Sequence, residues 1–560
     1  MLLHLGLHSD AGDHAASGGI TMSRLRSWLG SLITGLLVSS GSASMAAERI
    51  VFRFGEFARD VSVPELRQFS ETGAVAPGLK PILRRLKPAE REALRTALSQ
   101  PLPVDVVSVS NLLSTPLGRR SLQQLVKVLD QPATVAEPGL ASALVLGAAK
   151  PGGLRLVNVL EAYPTQRLPV NVAAVLSLAQ SLTLGLAQQG AMFETLTSGK
   201  AIPFAGDELT ALTTEGSIPF RQIPFQFVGS EGERISAIAY LPETSTADSP
   251  APLVAIAPGL NTDMNALLYA GRHLASHGYA VASLNFPYTS ADAVKAVIQG
   301  TGLIPPVKAW FAQPLDVSAL IDQVEQRWGA RVDTQQVGLL GQSLGGYTVT
   351  ALAGAELDWA ALDRQCRQLS DPKVVVLNPA MVWQCSGYDQ VMQRQSFRDP
   401  RVKVAVAINP VTNPIFSASS MQALAVPILV VSGTHDIFAP SLSQQLIPFS
   451  WIQQQGSLLV LQNNGTHLSF LEGTSDLPPA VLGPDLSLAR TQLKGMARGF
   501  FDYHLRSQPV LPSWLTTPTD PLVGAGRDPL KLLVMPRLSR QQLERVAPGL
   551  NLDQAAPSGW

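Results

Sequence analysis

The sequence predicts an α/β protein with a mostly parallel, eight-stranded sheet flanked by helices. Beyond about residue 218, short β-branched runs alternate with helical stretches. These runs are apolar without strict alternation, as expected for strands that are covered on both faces. Helices between the strands imply right-handed crossovers. The predicted strands are 225–229, 235–241, 253–259, 279–286, 337–342, 402–409, 428–433 and 457–462.

The part of the chain before the sheet, residues 47–200, is predicted to form a mainly helical domain. Apolar residues recur at helical spacing in 87–98, 121–131 and 170–189, and Pro-Gly pairs separate such stretches. Residues 48–190 contain no histidine and no catalytic constellation. Apolar helix faces of this kind form a core or a docking surface more often than a cofactor site.

The strands place the second predicted domain at 218–507. Within it, 355–400 is predicted to be a lid-like insertion, and Trp359, Met381, Trp383 and Met392 would form its apolar underside. A solvent-exposed decoration with its own local core is the alternative. Residues 508–560 are rich in proline and are predicted to form an irregular tail with one short helix near 538–546.

Composition excludes several classes of function. Lys plus Arg is 42 and Asp plus Glu is 42, so the net charge is 42 − 42 = 0. Nucleic-acid binding needs an excess of cations, and we therefore expect no nucleic-acid partner. Two cysteines are too few for a disulfide-dense scaffold or for a four-thiolate metal site.

The amino terminus predicts export. Residues 1–46 read as a leader, with Met22 as an alternative start and an export signal over 22–46. Two arginines precede an apolar stretch that is too short to span a bilayer, and Ser44 and Ala46 occupy positions −3 and −1 of a cleavage site. An uncleaved anchor or an irregular helix is the alternative. We expect the periplasm or another space outside the cytoplasm.

Export also bears on the two cysteines. Cys366 and Cys385 lie 19 positions apart within the predicted insertion. An oxidising compartment would allow them to form a disulfide. Two separate buried thiols remain an equal alternative.

The segment 337–354 predicts the nucleophile. A buried strand leads into Gly341-Gln342-Ser343-Leu344-Gly345 and then into a helix. This G-x-S-x-G pattern at a strand–turn–helix junction is typical of a nucleophile elbow, in which the serine oxygen stands clear of the sheet. Gly341 and Gly345 lack the Cβ atoms that would collide where strand and helix approach. A glycine-rich turn with a capping serine is the alternative.

A serine nucleophile needs a base, and His467 is our prediction for it. It follows the last predicted strand, in a loop with Asn463-Asn464-Gly465. Each of the other seven histidines is disfavoured: three precede Met22, two lie upstream of Ser343, one adjoins the acid candidate and one lies in a helix. They are His4, His8, His14, His273, His277, His435 and His504.

Asp436 is predicted to be the acid that orients the base. It stands in the turn after strand 428–433 and precedes His467, as the order Ser…Asp…His requires. Asp476 follows the histidine instead, and Asp399 lies in the insertion. An Asx-turn or helix cap ahead of Pro440 is the alternative role for Asp436.

The oxyanion of such a reaction would be bound by backbone amides. The amide after the nucleophile belongs to Leu344. The second is expected in the loop after strand 253–259, where Gly259 permits the turn and Leu260 is the candidate amide. An ordinary tight turn at Gly259 is the alternative.

Four stretches together resemble the α/β-hydrolase superfamily: 257–288, 341–347, 432–440 and 463–470. The likeness covers about residues 220–506. It is nearest to serine hydrolases grouped with dienelactone hydrolases, bacterial cutinase-like esterases and platelet-activating-factor acetylhydrolases. Residues 48–190 resemble, more weakly, a helical domain of unknown function that precedes such hydrolases in cyanobacterial proteins.

Two departures refine the resemblance. Dienelactone hydrolases use a cysteine nucleophile, whereas this chain has Ser343, which favours ester chemistry over enol-lactone chemistry. Animal acetylhydrolases of the platelet-activating-factor type take their acid from the loop after the sixth strand. Here that loop, 408–416, contains no carboxylate. The acid would therefore be Asp436, as in cutinase-like esterases, and phospholipid specificity is in doubt.

These observations lead us to expect an exported serine hydrolase that cleaves carboxylic esters through an acyl-enzyme. Ser343, His467 and Asp436 would catalyse, the amides of Leu260 and Leu344 would bind the oxyanion, and no metal or organic cofactor is implied. The expected partner is a small or lipid-like ester. Peripheral contact of the protein with a membrane is compatible with such a substrate. A serine peptidase of the same fold and a non-catalytic binding protein on a hydrolase scaffold are the alternatives.

Overall fold

The structure of the protein is a computed structural model. It describes residues 46–548 except 55–56, 85–87, 103, 172–173, 175–190, 198–205, 303–305, 370, 372–377, 387–394, 474–478, 507–510, 513–514 and 516–529. Apart from Ala46, the predicted export signal 22–46 lies outside the described residues. Most of the predicted helix 170–189 and Met392 also lie outside them.

Twelve strands occur in the described part of the chain, in two sheets. They are β1 (Arg49–Phe54), β2 (Phe57–Ser62), β3 (Arg167–Asn171), β4 (Phe220–Val228), β5 (Arg234–Pro242), β6 (Ala251–Ala257), β7 (Ala280–Leu284), β8 (Val332–Gln342), β9 (Val402–Ile408), β10 (Ile428–Gly433), β11 (Leu458–Gln462) and β12 (Leu532–Met535).

The large sheet has nine strands in the order β12-β11-β10-β9-β8-β6-β7-β5-β4. The pairs from β11 to β7 are parallel, whereas β12, β5 and β4 pair antiparallel with their neighbours. The mostly parallel α/β fold is therefore confirmed, and all eight predicted strands are present.

The strand count of eight was wrong, because part of the tail that was predicted to be irregular forms a strand. A ninth strand, β12, follows from the short apolar run Leu532–Met535, all of which is buried against β11. Local sequence does not indicate this strand, because it has only four residues in a proline-rich tail. Its pairing partner, β11, lies about 70 residues upstream. The short helix predicted near 538–546 is present at Arg540–Val546.

The helices surround both sheets. They are α1 (Val63–Thr72), α2 (Lys80–Leu83), α3 (Pro88–Ser99), α4 (Val106–Ser114), α5 (Pro116–Leu125), α6 (Ala133–Ala149), α7 (Leu156–Ala162), α8 (Gly206–Thr213), α9 (Leu268–Ser276), α10 (Ala291–Ile298), α11 (Pro306–Trp328), α12 (Leu344–Leu352), α13 (Trp359–Leu369), α14 (Pro379–Cys385), α15 (Ala418–Gln422), α16 (Ile447–Trp451), α17 (Pro479–Leu482), α18 (Leu486–Leu505) and α19 (Arg540–Val546). A further helical stretch covers 191–196.

Helices cover both faces of the large sheet. Helices α11 and α12 pack on one face, where Trp310, Leu320 and Tyr347 belong to one core cluster. Helices α9 and α18 pack on the other face, where Leu274 and Phe500 belong to a second cluster. Burial on both faces explains why the central strands lack apolar–polar alternation.

The N-terminal region, residues 47–171, has its own core and a small sheet. Strand β1 pairs antiparallel with β2 and parallel with β3, and helices α1, α4, α6 and α7 pack around a cluster that includes Phe69 and Tyr163. The helical prediction missed these strands, and Val170 and Asn171 lie in β3 rather than in a helix. Strand β3 is short, and its partner β1 lies more than 100 residues upstream, so no local pattern marks it.

Among the described residues, the N-terminal region contacts α10 and the insertion. Helix α4 packs against α10, and the Asn111 side chain donates to the Ile298 carbonyl over 2.7 Å. Helix α5 packs against α14 of the insertion, and the Gln124 amide donates to the Leu369 carbonyl over 3.0 Å. The domain boundaries at 200 and 218 stay a prediction.

The insertion contains α13 and α14, which a disulfide between Cys366 and Cys385 joins. The two interpretations of the cysteines were a disulfide and two separate buried thiols, and the structure contains the disulfide. None of the helices in the described part of the chain combines the length and apolar composition that a bilayer crossing requires.

Candidate active site

Ser343 stands at the junction of β8 and α12, in a strained backbone conformation. Its φ is 56° and its ψ is −115°, a region that a residue with a side chain rarely adopts. Such a conformation costs roughly 1–3 kcal/mol and persists only where the surrounding structure imposes it. The Ser343 amide donates to the Ile408 carbonyl over 2.9 Å, and its carbonyl accepts from the Val411 amide over 3.2 Å. The turn that the G-x-S-x-G pattern predicts is therefore present.

The glycines of the turn are required by close approach. A Cβ on Gly345 would lie 1.9 Å from the Ala257 carbonyl oxygen, and one on Gly341 would lie 2.2 Å from the Gly345 carbonyl oxygen. Real Cβ atoms never approach an oxygen so closely, and the backbone would have to shift. The strand β8 and the helix α12 can meet at this sharp angle only without these side chains.

Ser343, His467 and Asp436 form a continuous chain of hydrogen bonds. Ser343 Oγ lies 2.8 Å from His467 Nε2, and His467 Nδ1 lies 2.6 Å from Asp436 Oδ2. With the imidazole protonated on Nδ1, the serine hydroxyl donates to Nε2 and Nδ1–H donates to the carboxylate. All three side chains are buried, and the Asp436 side chain has no exposed surface. The structure thus brings together the three residues that the sequence analysis selected.

Asp436 is held in the turn that follows β10. Its Oδ1 accepts hydrogen bonds from the amides of Phe438 and Ala439, at 2.8 and 2.7 Å, while Oδ2 accepts from His467. A buried carboxylate without partners is strongly unfavourable, and these three donors satisfy this one. The Asx-turn that we offered as an alternative role for Asp436 therefore coexists with the contact to His467.

Two buried amide side chains hold the backbone of His467, and the sequence analysis missed both. Gln342 Nε2 donates to the His467 carbonyl over 3.0 Å, and Asn409 Nδ2 donates to the Thr466 carbonyl over 3.1 Å. Asn409 Oδ1 also accepts from the Gly433 amide over 2.9 Å. Gln342 is the residue before the serine in the G-x-S-x-G pattern, and Asn409 follows β9 at a positive φ of 43°; no local sequence pattern marks either residue.

The other described histidines and candidate acids lie elsewhere. His273 hydrogen-bonds to the Leu212 carbonyl, and His277 hydrogen-bonds to the Thr214 carbonyl. His504 packs on Phe500 within α18. His435 contacts Thr434, and burial lowers its pKa. Asp399 pairs with Arg401 and accepts from Ser318. Asp476 lies outside the described residues.

The loop after β6 lies directly against the nucleophile. A Cβ on Gly259 would lie 2.5 Å from Gln342 Oε1 and 3.1 Å from Ser343 Cβ, so glycine is needed here for close approach. The loop is fixed by hydrogen bonds from the Asn261 amide to Thr289 and from the Met264 amide to Asn285.

The two predicted oxyanion amides belong to residues beside the serine. Leu260 and Leu344 line the same cavity as Ser343. Within the described part of the chain, neither amide N–H donates to a protein acceptor. Two N–H groups without an acceptor beside a nucleophile are available to a negatively charged oxygen.

A cavity of about 280 Å³ adjoins Ser343 and His467. Its remaining lining residues are Asn261, Pro379, Ala380, Trp383, Val411, Phe438 and Leu468. The insertion contributes three of them, all on α14, and the Phe438 ring lies 5.4 Å from the His467 ring.

Of the residues predicted to form the apolar underside of the insertion, Trp383 lines the cavity, and Met392 lies outside the described residues. Trp359 and Met381 are buried but do not line the cavity. Trp359 stacks instead on Phe311, with ring centroids 5.7 Å apart. Helical periodicity places these residues on apolar faces, but it does not show which neighbour covers each face.

Comparison with known families connects these features with a described fold. Residues 46–171 match the model of a family described as an alpha/beta hydrolase of unknown function (DUF1400). The chain has the α/β-hydrolase fold. The match covers the N-terminal region, whereas Ser343, Asp436 and His467 lie in the nine-stranded sheet domain that follows it. No curated protein matched the chain.

Metal chemistry has no ready donor set in the described part of the chain. Groups of three or more His, Cys, Asp or Glu side chains that could hold a metal ion do not occur there. Polar side chains that line the cavity include those of Ser343, His467 and Asn261.

Proposed function

We propose that this α/β hydrolase cleaves carboxylic esters with Ser343 as nucleophile, His467 as base and Asp436 as the residue that orients the base. One observation carries the proposal: the unbroken hydrogen-bond chain from Ser343 Oγ through His467 to Asp436. A serine hydroxyl is a weak nucleophile until an adjacent base accepts its proton, and this chain provides that base in the required order.

Acylation would proceed as follows. Ser343 Oγ attacks the carbonyl carbon of the ester while its proton moves to His467 Nε2. The amides of Leu260 and Leu344 donate to the resulting oxyanion, and the ionised Asp436 stabilises the imidazolium. The carbon–oxygen bond to the alcohol then breaks, and His467 returns the proton to the departing alkoxide. An acyl-enzyme on Ser343 remains.

Deacylation repeats the same steps with water. His467 takes a proton from a water molecule as the water attacks the acyl carbon, and it then protonates Ser343 Oγ as the acid leaves. The balance is one ester and one water consumed, and one alcohol and one carboxylic acid formed. Every proton transfer uses His467, so neither half-reaction needs a metal or an organic cofactor.

The experiment is a comparison of ester hydrolysis by the wild type and by Ser343→Ala. We expect the variant to lose at least about a thousandfold in kcat, the usual effect of removing the nucleophile of such a triad. Ser457→Ala is the matched control, because Ser457 is buried at the far end of the sheet where β11 begins. Peptide anilides tested beside p-nitrophenyl esters would distinguish a peptidase. Ester turnover that survives Ser343→Ala unchanged would contradict the proposal and favour a scaffold without catalysis at this site.

We also infer that the protein is exported. Support comes from the export signal that the sequence predicts over 22–46 and from the Cys366–Cys385 disulfide, since disulfides persist in oxidising compartments. Cell fractionation of a C-terminally tagged chain tests this inference. A variant that lacks the first 21 residues and begins at Met22 is the control for the alternative start. Retention of the whole chain in the cytoplasm would contradict it.

A further inference from the structure

The side chains that line the cavity beside Ser343 include a buried group and an exposed group, which we call its closed end and its open end. The closed end is formed by apolar side chains that are each at most 6 % exposed: Leu344, Ala380, Trp383 and Val411. At the open end, Phe438 is 41 % exposed and Asn261 is exposed. An ester bound across Ser343 therefore has one side in a confined apolar space and the other side near solvent.

The size of the cavity limits what the closed end accepts. A volume of about 280 Å³ lies just below the range of roughly 300–1,000 Å³ that is typical of pockets for drug-sized ligands. The carbonyl group and the first atoms of the alcohol occupy part of this space. A long acyl chain would have to displace a wall of the cavity or leave through the open end.

The wall formed by α14 is anchored to the sheet domain by buried hydrogen bonds. Asn378 caps the helix at the Met381 amide over 3.0 Å and donates to Ser443 over 3.2 Å. Gln384 accepts from the Ile415 amide over 2.9 Å and donates to the Asn413 carbonyl over 2.8 Å. Moving α14 would leave these buried polar groups unpaired, which is unfavourable.

The same wall is braced from outside. The Cys385–Cys366 disulfide ties the end of α14 to α13. The last residue of α13, Leu369, accepts hydrogen bonds from the Gln124 side chain at 3.0 Å and the Lys127 ammonium at 2.6 Å. The helix α5 of the N-terminal region also packs directly on α14. These contacts hold α13 and α14 in place as a wall of the cavity.

We infer that the enzyme acts on esters of compact acyl groups, of about two to six carbons, and that Trp383 sets this limit. The inference rests on the proposed ester hydrolysis, because it assigns the acyl group to the closed end of the same cavity. The alcohol occupies the open end beside Phe438, so the size of the alcohol is less restricted. Long-chain lipids are accordingly poor substrates, so of the small or lipid-like ester that the sequence predicts, the small one is favoured.

The test measures kcat/KM for p-nitrophenyl esters from acetate to decanoate. We expect the wild type to prefer chains of six carbons or fewer and to be at least about tenfold slower on decanoate. Trp383→Ala enlarges the closed end and should raise the decanoate-to-butanoate ratio at least about tenfold. Trp359→Ala is the matched control: the same residue type in the same insertion, buried but outside the cavity, and it should leave the ratio unchanged.

Ala380→Leu is a second variant that fills the closed end without removing a large side chain. We expect it to lower hexanoate hydrolysis relative to acetate hydrolysis. A wild type that prefers decanoate, or chain-length ratios unchanged in both Trp383→Ala and Ala380→Leu, would overturn the inference while Ser343-dependent ester hydrolysis stands. Absence of Ser343-dependent hydrolysis of any ester would overturn the proposed function, and this inference with it.

Discussion

Asp436 uses its two carboxylate oxygens for different partners, and this separation gives a residue-level prediction. In Asp436→Asn, the amide oxygen can keep the hydrogen bonds from Phe438 and Ala439, so the turn persists. The amide NH₂ then faces His467 Nδ1, which must be unprotonated to accept from it. The proton moves to Nε2, where it prevents the imidazole from accepting the Ser343 proton.

We therefore expect Asp436→Asn to lower kcat by roughly 10³–10⁴ with little change in KM, as the corresponding change does in other serine triads. Steady-state kinetics and circular dichroism measure activity and fold. Asp105→Asn is the control, because Asp105 is a helix cap at α4 in the N-terminal region and an asparagine can also cap. A kcat within about tenfold of the wild type would show that Asp436 does not set the tautomer of His467.

At the same scale, the sequence indicated the three residues that form the hydrogen-bonded chain but not the residues that support them. Ser343, Asp436 and His467 occur in a fixed order at strand ends, and parallel strands bring their ends to one edge of the sheet. Gln342 and Asn409 act through a carbonyl of a loop more than 50 residues away, so no local pattern identifies them. The sequence places Trp383 in an apolar insertion. It does not show that Trp383 lies beside Ser343, because that position depends on how α14 is anchored to the sheet domain.

At the scale of elements, α18 contains a half-buried histidine that makes stability depend on pH. Burial lowers the pKa of His504 from 6.5 to about 4, and its ring packs against Phe500 and Tyr503. Above pH 6.5 the residue is neutral in both the folded and the unfolded chain. As pH falls from 6.5 to 4, the unfolded chain binds a proton that the folded chain does not, so the free energy of unfolding decreases.

His504→Phe keeps a ring in place and removes this titration. We expect the wild type to lose between about 1 and 3 kcal/mol more than the variant on going from pH 7.5 to pH 4.5. Urea denaturation at both pH values measures the difference. Equal losses in the two proteins would show that His504 is protonated alike in both states.

Strands that are buried on both faces were predicted well. Strands whose pairing partner lies far along the chain were predicted poorly. The strands of the central sheet have five or more consecutive apolar or small residues, which is a local signal. Strand β12 has four residues and β3 has five, and each pairs with a strand far along the chain. Their stability comes from those partners, which a single stretch of sequence does not show.

At the scale of the whole molecule, β12 closes one edge of the sheet beside the loop of His467. Its four residues are buried, and the Asn463 amide, next to β11, donates to the Lys531 carbonyl over 2.8 Å. Each fully buried apolar side chain contributes roughly 1.5–3 kcal/mol. Removal of β12 would also expose the edge of β11 to pairing with other chains.

Truncation after Leu530 should therefore lower the melting temperature by at least about 10 °C, given 2–4 °C per kcal/mol for large domains, and promote aggregation. Differential scanning fluorimetry and light scattering measure both effects. Truncation after Pro548 is the control, since it retains every described strand and helix. A melting temperature within about 2 °C of the control would contradict the stabilising role of β12.

At the scale of the whole molecule, the N-terminal region also contacts the part of the insertion that lines the cavity. It contacts α14 and the end of α13, the two helices that the disulfide joins. Its sequence indicates only an apolar helical domain, because its contact residues Gln124 and Lys127 are ordinary surface types. Only the structure shows that both side chains donate to the Leu369 carbonyl and so hold the end of α13.

The central claim, that Ser343 is the nucleophile, is tested most directly by labelling the purified protein with a fluorophosphonate and mapping the modified peptide. We predict one modification per chain, on Ser343 within 337–354, and its loss in Ser343→Ala and in His467→Ala. A modification on any other residue, or labelling that persists in Ser343→Ala, would contradict the account.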